Sequence, residues 1–499
     1  MLQFAAEPVL GAESRACSAR IHDGNGGVFI VKVVLAGFNV EADQVKQFGG
    51  AERDALTPEV ISASYARISR DPRGINTLRR EARREVAKAR ESNKKIIFRY
   101  GHASVAEHAV FNFDVMGISR LAVEELEHFR LASFTEKSQR YIRLGRDLVV
   151  PPEIRSAGLK REFGRVTARL HRLYEELHRA ILEHGGKGEV AKEDARYLMP
   201  LATSAQLGMT VNARELEYMI GRLSAHPLDE LQMLAGKLYR HTRRLAPSLV
   251  RYPEPTPYYL DASRARSEIV RSIGPHRDGP HGDADAARLI ELTPNGDTRL
   301  AAALIFAART TTYREAYALA ADLTPAGRMK IVSETMRRIS QHDSVWREFE
   351  TIHLLFELVV SSSCFAQLKR HRMATLIAQP YDTRLGISVP DSVKSARAVG
   401  IFRSAAASAE RLYRSIRRRV PAAAGYALTN AHRRRVLLGL NLRELYHFSR
   451  LRSDRYAQWE IRRLSDEMCR LASEQLPAGA VLLGGKDEFE QRKNMLDTL

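Results

Sequence analysis

Apolar positions along the chain recur at two periods, one strand-like and one helical. The β-branched run VFIVKVVLAG at 28–37 predicts a strand. Residues 77–90 place apolar or small side chains at helical spacing among strong helix formers, which predicts an amphipathic helix. From Val105 to Met116, Phe111 and Phe113 alternate across a strand-like segment. It leads into a helix near Ser119, whose hydroxyl suits an N-cap. That helix, 120–130, runs into a polar segment, 132–143, and two later stretches, 213–223 and 442–451, read as helices. Methionine and phenylalanine along 352–376 read as core. Strands and helices mix without strict βαβ alternation, so the expected class is α+β.

The pattern also repeats. ISASYARIS at 61–69 answers to LIFAART at 304–310, and His102-Ala-Ser-Val to His342-Asp-Ser-Val. ELEHFR at 125–130 answers to QLKRHR at 367–372, and Asn212-Ala-Arg-Glu-Leu to Asn441-Leu-Arg-Glu-Leu. Four landmarks in one order, at offsets of 229 to 243 positions, mark a tandem duplication. Between the copies, 252–285 is dense in Pro, Gly and Asp, which disfavours long helices and central strands. The expected organisation is a tail at 1–27, a first domain at 28–251, a linker at 252–285 and a second domain at 286–499.

With 499 residues, 44% hydrophobic and 27% charged, the chain buries sizeable cores. No run approaches the roughly 20 apolar residues of a membrane helix, and the first residues lack a basic start followed by an apolar core, so a cytoplasmic location is expected. Cys17, Cys364 and Cys469 sit in no metal-binding spacing, and no metal is expected. The net charge of +19 favours phosphorylated partners. The arginines, however, are spread through helical patterns such as 78–90 and 411–420, which read as solvated faces, and no nucleic-acid-binding signature accompanies them.

Three strings carry the chemistry: SRLAVEELEHFRLASFTEKSQRY at 119–141, QLKRHRMAT at 367–375, and NLRELYHFSRLRSDRYAQWEI at 441–461. Together they resemble the signature of the flavin-dependent thymidylate synthases: an Arg-His-Arg triplet, then Ser, then Glu, Ser and Arg at fixed offsets. The resemblance implies an antiparallel sheet with flanking helices. It also implies methylation of deoxyuridylate to thymidylate with methylenetetrahydrofolate as carbon donor, FAD as redox carrier and NADPH as reductant. In that family four subunits assemble with active sites between them. A tandem chain is therefore expected to form a homodimer that acts as a pseudo-tetramer.

Neither copy matches the signature in full. The first has His128-Phe129-Arg130 for the triplet and Leu223 where the C-terminal block has Arg, yet it keeps Glu136, Ser138, Arg140 and Arg196. The second keeps Gln367, Arg370, His371, Arg372 and Arg452, and has Ala378, Pro380 and Asp382 at the later positions. Losses in one copy fall where the other is intact, so one composite site is expected. The resemblance assigns Ser138, Arg140 and Arg196 to the nucleotide phosphate and sugar, with Gln367 and Arg370 completing the nucleotide side. It assigns Arg452 to charge on the uracil ring, because a guanidinium is planar and permanently charged. Arg370, His371, Arg372 and Glu136 are assigned to FAD, with Ser104 or Ser344, Asn441 and Arg443. Taken alone, His102 and His342 also read as core histidines satisfied by backbone, and Asn212 and Arg214 as keepers of the fold. The losses leave open a catalytically silent flavin or nucleotide binder, and a pyrimidine nucleotide other than deoxyuridylate.

Overall fold

The computed structural model of the chain describes residues 31–42, 56–68, 71–251, 254–273 and 286–496; the tail at 1–27, with Cys17, lies outside them. The first β-branched run forms β1 (Lys32–Phe38), antiparallel to β2 (Val110–Ser119); residues 28–30 of the expected strand lie outside the described residues. Between them come α1 (Glu59–Ile68), α2 (Ile75–Arg84) and α3 (Val86–Lys94). The single helix expected over 77–90 is thus two, interrupted at Glu85, which leaves the helical region at φ −126° and ψ 63°.

On β2, Phe111, Phe113 and Val115 are buried while Asn112 and Asp114 are exposed, the alternation of a half-buried strand. Gly117, at φ +67°, sits where the register against the next strand shifts between Met116 and Ile118; a bulge there uses glycine's freedom at positive φ. Ser119 caps α4 (Arg120–Leu126) by accepting from the Ala122 amide. The polar segment at 132–143, for which no strand was expected, begins as β3 (Ala132–Glu136). After α5 (Lys160–Glu183) comes β4 (Ser204–Asn212), which pairs with both β2 and β3. The helices α6 (Ala213–Ser224) and α7 (Asp229–Thr242) complete the unit.

Part of the expected linker is helical: α8 spans Pro257–Ser272. Pro257 opens the helix, where a missing N–H costs nothing, and the next proline, Pro275, comes only after the helix has ended. The second unit repeats the first. It runs through β5 (Ala287–Leu292), α9 (Gly296–Ala308), β6 (His353–Ser361), α10 (Ser362–Leu368), β7 (Thr375–Ala378), α11 (Val399–Arg419), β8 (Arg433–Asn441), α12 (Leu442–Arg452) and α13 (Trp459–Gln475). The two antiparallel four-stranded sheets have the same order, β1-β2-β4-β3 and β5-β6-β8-β7. The fold is α+β, two copies in tandem. Phe356 and Phe365 are core as expected, but Met373 is 77% exposed on the turn before β7. Arg411, Arg414 and Arg417 to Arg419 lie on the solvated face of α11. No described helix is long and apolar enough to cross a membrane.

The copies meet around a pseudo-two-fold axis. The Leu201 amide donates to the Leu428 carbonyl at 2.7 Å, and the Asn430 amide to the Met199 carbonyl at 3.0 Å. Leu201 corresponds to Asn430 and Met199 to Leu428, so each bond is the other's symmetry mate. Side chains cross in the same way. Glu230 accepts from the Ser119 amide (2.6 Å) and hydroxyl (2.7 Å), and Glu460 accepts from the amide and hydroxyl of the matching Ser361. Each carboxylate takes a further bond from the opposite copy: Tyr426 Oη to Glu230 at 2.7 Å, and Tyr197 Oη to Glu460 at 2.8 Å. Helices α5 and α11 share one core, with Leu170, Tyr174 and Leu177 against Phe402, Ala405 and Ala409.

Candidate active site

The end of β3 delivers Glu136 to the seam between the copies. One of its oxygens accepts from Arg120 Nη1 at 2.5 Å, and the other lies 3.6 Å from the guanidinium of Arg370 in the second copy. Burial opposes ionisation of Glu136, but Arg120, Lys369 and Arg370 together hold its carboxyl below the usual carboxylate range. In the following turn Ser138 Oγ accepts from the Arg140 amide at 3.2 Å. Arg140 pairs with Glu193 and donates to the Tyr456 carbonyl of the second copy at 3.1 Å. Arg196 is buried. Its Nε donates to the Glu193 carbonyl at 3.0 Å, and its Nη2 has no partner among the described residues. Burial lowers its pKa, and the neighbouring Arg140 and Arg120 act in the same direction.

The second copy supplies the facing wall. Helix α10 ends at Leu368, and the next residues turn the triplet toward the first copy. Gln367 is buried, and its amide donates to Gln458 Oε1 at 3.4 Å. Arg370 has a half-exposed side chain. His371 is enclosed: its Nδ1 bonds Glu444 at 3.1 Å, and its Nε2 accepts from Arg452 Nε at 3.0 Å. Because a guanidinium only donates, Nε2 is the unprotonated nitrogen and Nδ1 carries the hydrogen. Although His447 completes a His-Glu-His group within 4.8 Å, that tautomer leaves His371 no lone pair for a metal. Arg452 also donates to the Gln367 carbonyl at 3.3 Å. Burial, with Arg370 and Arg140 as like-charged neighbours, lowers its pKa to about 10.

Arg140 and Arg196 of the first copy and Arg370 and Arg452 of the second therefore share one electrostatic environment, with Glu136 and Glu193 as counter-charges. The other expected residues serve differently. Arg372 donates to the carbonyls of Arg130 (3.3 Å) and Ala132, fastening the triplet to the start of β3. Asn441 caps α12 by accepting from the Glu444 amide, as Asn212 caps α6. Arg443 donates to the Val345 carbonyl and pairs with Glu350, both at 2.9 Å, beside exposed Ser344. Ser104 is exposed on the corresponding segment of the first copy, where Arg214 pairs with Glu107. His102 and His342 are exposed too, so the core-histidine reading fails: each sits in a polar turn ahead of its strand rather than beneath the sheet.

Sequence reasoning missed Arg120, Lys369, Tyr197 and Gln458. Lys369 pairs with Glu127 at 2.9 Å inside the seam. Gln458 donates to Tyr197 Oη at 2.6 Å and so links Gln367 to the inter-copy tyrosine. The recurrence of tyrosine at 197 and 426 was the available signal.

The mirror-related position has a different interior. Glu124 accepts from Ser362 (2.7 Å), Tyr381 (2.8 Å) and Arg434 (3.1 Å), a buried network with the Arg434 guanidinium 4.4 Å from the Tyr381 ring centre. Gly425 stands where the other side has Arg196, and a Cβ there would lie 3.3 Å from Leu121. Leu223 is buried, and Arg222 is exposed and turned to the ring of Tyr259 on α8.

A family model described as thymidylate synthase complementing protein (Thy1) matches residues 54–248 and 288–478. The chain is 24% identical over 458 residues to a UPF0159 protein of Thermoplasma acidophilum, covering 82% of this chain and 91% of that one. It is 32% identical over 198 residues to the flavin-dependent thymidylate synthase of Geobacter sulfurreducens, covering 39% of this chain and 81% of the relative. A solved structure of the UMP/dUMP methylase PolB from Streptomyces cacaoi, bound with 5-Br dUMP, aligns with a TM-score of 0.34 at 21% identity, over 45% of this chain and 94% of that one.

Proposed function

This chain belongs to the Thy1 family of thymidylate synthase complementing proteins, and we propose that it methylates deoxyuridylate to thymidylate at one composite site per chain. One observation carries the proposal: four arginines from two copies converge, and one of them, Arg196, holds a buried donor with no partner among the described residues. Arg196 and Arg452 are buried, and Glu136 and Glu193 offset only part of the positive charge, so a further anion stabilises the group. A nucleotide phosphate supplies that anion, and Ser138, Arg140 and Arg196 bind it. Arg452, oriented by His371, faces the base and stabilises negative charge on it, while Gln367 fixes the base edge.

The donor set also fits a flavin dinucleotide. Half-exposed Arg370 offers a guanidinium to a phosphate or ring carbonyl, and Glu136 holds Arg370 in place. His371 and Arg372 act by positioning, and Ser344 with Arg443 and Asn441 shapes the flank; Ser104 belongs to the corresponding flank of the first copy. FAD when bound supplies the redox chemistry, with methylenetetrahydrofolate as carbon donor and NADPH as reductant. In this reading the first domain spans 28–251 and the second 286–499, and a homodimer reproduces the family's four-unit assembly.

Reconstitution with FAD followed by a single turnover of the reduced protein with methylenetetrahydrofolate and deoxyuridylate tests the proposal. Bound yellow flavin and labelled thymidylate are expected. Bound flavin with no methylated product would make the chain a silent binder, and absence of bound flavin would refute both readings.

A further inference from the structure

Equivalent residues that touch each other lie on a symmetry axis, and here the pair on the axis carries opposite charges. Glu127 and Lys369 are the C-caps of the matching helices α4 and α10. They meet at 2.9 Å with side chains 4% and 1% exposed, and Lys369 also donates to the Val123 carbonyl at 3.3 Å. Pro200 and Thr429, likewise equivalent, face each other as an antiparallel bridge, so the axis passes through both contacts.

If two first copies paired through this surface, Glu127 would meet Glu127 out of water. If two second copies paired, Lys369 would meet Lys369. A buried ion pair adds little to stability over an apolar pair, but a buried like-charged pair is strongly unfavourable. Such a contact therefore chooses partners more than it adds affinity.

The geometry points to Glu127–Lys369 as a pairing selector that admits a first copy only to a second copy. The selection matters to the chemistry. Two first copies would join Glu136, Ser138, Arg140 and Arg196 to Glu125, His128 and Leu223. Two second copies would join Gln367, Arg370 and Arg452 to Ala378, Pro380, Asp382 and Gly425. Only the unlike pair brings all four arginines together. The selector rests on contacts alone and stands whichever nucleotide is the substrate.

Two measurements on the full chain test it. In the first, Glu127→Lys and Lys369→Glu each lower the thermal midpoint by on the order of 10 °C or abolish soluble expression, and the charge-swapped double variant recovers to within a few degrees of the parent. A swapped variant as unstable as the single ones overturns the proposal. In the second, Pro200→Cys reports which copies pair, because only paired first copies bring two such cysteines together across chains. After refolding under oxidising conditions, the Pro200→Cys chain stays single on a non-reducing gel. Adding Glu127→Gln and Lys369→Met produces disulfide-linked chain pairs. Linked pairs with the charges intact, or none in the neutral background, overturn it.

Discussion

Arg196 is 5% exposed, its Nε donates to the Glu193 carbonyl, and its Nη2 has no partner among the described residues, so Arg196→Met removes one satisfied and one orphaned donor. The lost hydrogen bond costs about 1 kcal/mol, whereas an orphaned buried donor costs about 1–3 kcal/mol, more on a charged group. Methionine keeps the length and most of the apolar contact of the stem. The unliganded variant should therefore be more stable than the parent by about 1 kcal/mol, read as a higher midpoint in denaturant at unchanged slope. Nucleotide binding should move the other way. A charge-assisted bond to phosphate is worth about 1.5–3 kcal/mol, which converts to a Kd for deoxyuridylate weaker by about 10- to 150-fold in calorimetric titration. Loss of stability together with an unchanged Kd would show that Arg196 is a structural residue and that the phosphate binds elsewhere.

Three further outcomes follow from the same seam. Glu136 has a pKa below the usual 4.5, so its stabilisation is complete above that value and is lost as pH falls through the lowered one; Glu136→Gln should flatten the acid limb of thermal midpoint against pH. Asp194 accepts from Ser392 (2.5 Å) and Trp459 (3.1 Å), and burial raises its pKa from 3.8 to about 6. The folded chain then holds a proton that the unfolded chain has released, so stability falls as pH rises from 3.8 to about 6. Asp194→Asn should raise the midpoint at pH 7 and make no difference below about pH 4. Tyr197→Phe and Tyr426→Phe each remove one hydrogen bond from a carboxylate that keeps its serine contacts, and should cost about 1.5–3 kcal/mol. Only the first should also weaken nucleotide binding, since Gln458 ties Tyr197 to Gln367; equal effects on binding would break that link.

Where the fold is made by neighbours in sequence, the reading succeeded. Period-two burial on β2 and the Ser119 cap are contacts within four residues or one pleat; the caps made by Asn212 and Asn441 are equally local but were not expected as caps. The unequal charges of the two copies were also legible, because a repeated pattern shows which copy has lost which charge. The partnerships were not. Glu136 with Arg370, Lys369 with Glu127 and Tyr197 with Glu460 join residues more than 200 positions apart, and each looks ordinary in its own window. The expectation that the linker disfavours long helices erred by averaging composition: residues 258–272 contain neither proline nor glycine, so nothing there opposes a helix. Strand β3 escaped notice because its ladder comes from β4, some 70 residues later.

The crossed tyrosines bear on synthesis as well as on the finished fold. When Tyr197 and Glu230 leave the ribosome, their partners Glu460 and Tyr426 are still untranslated. At about 5–20 residues per second the wait is roughly 10 to 50 s. Through that interval the first copy exposes the seam surface later covered by α11 and residues 421–428. The nascent first half is therefore the stage at which a chaperone would be needed, and truncation before residue 426 should leave an aggregating fragment rather than a half-sized enzyme.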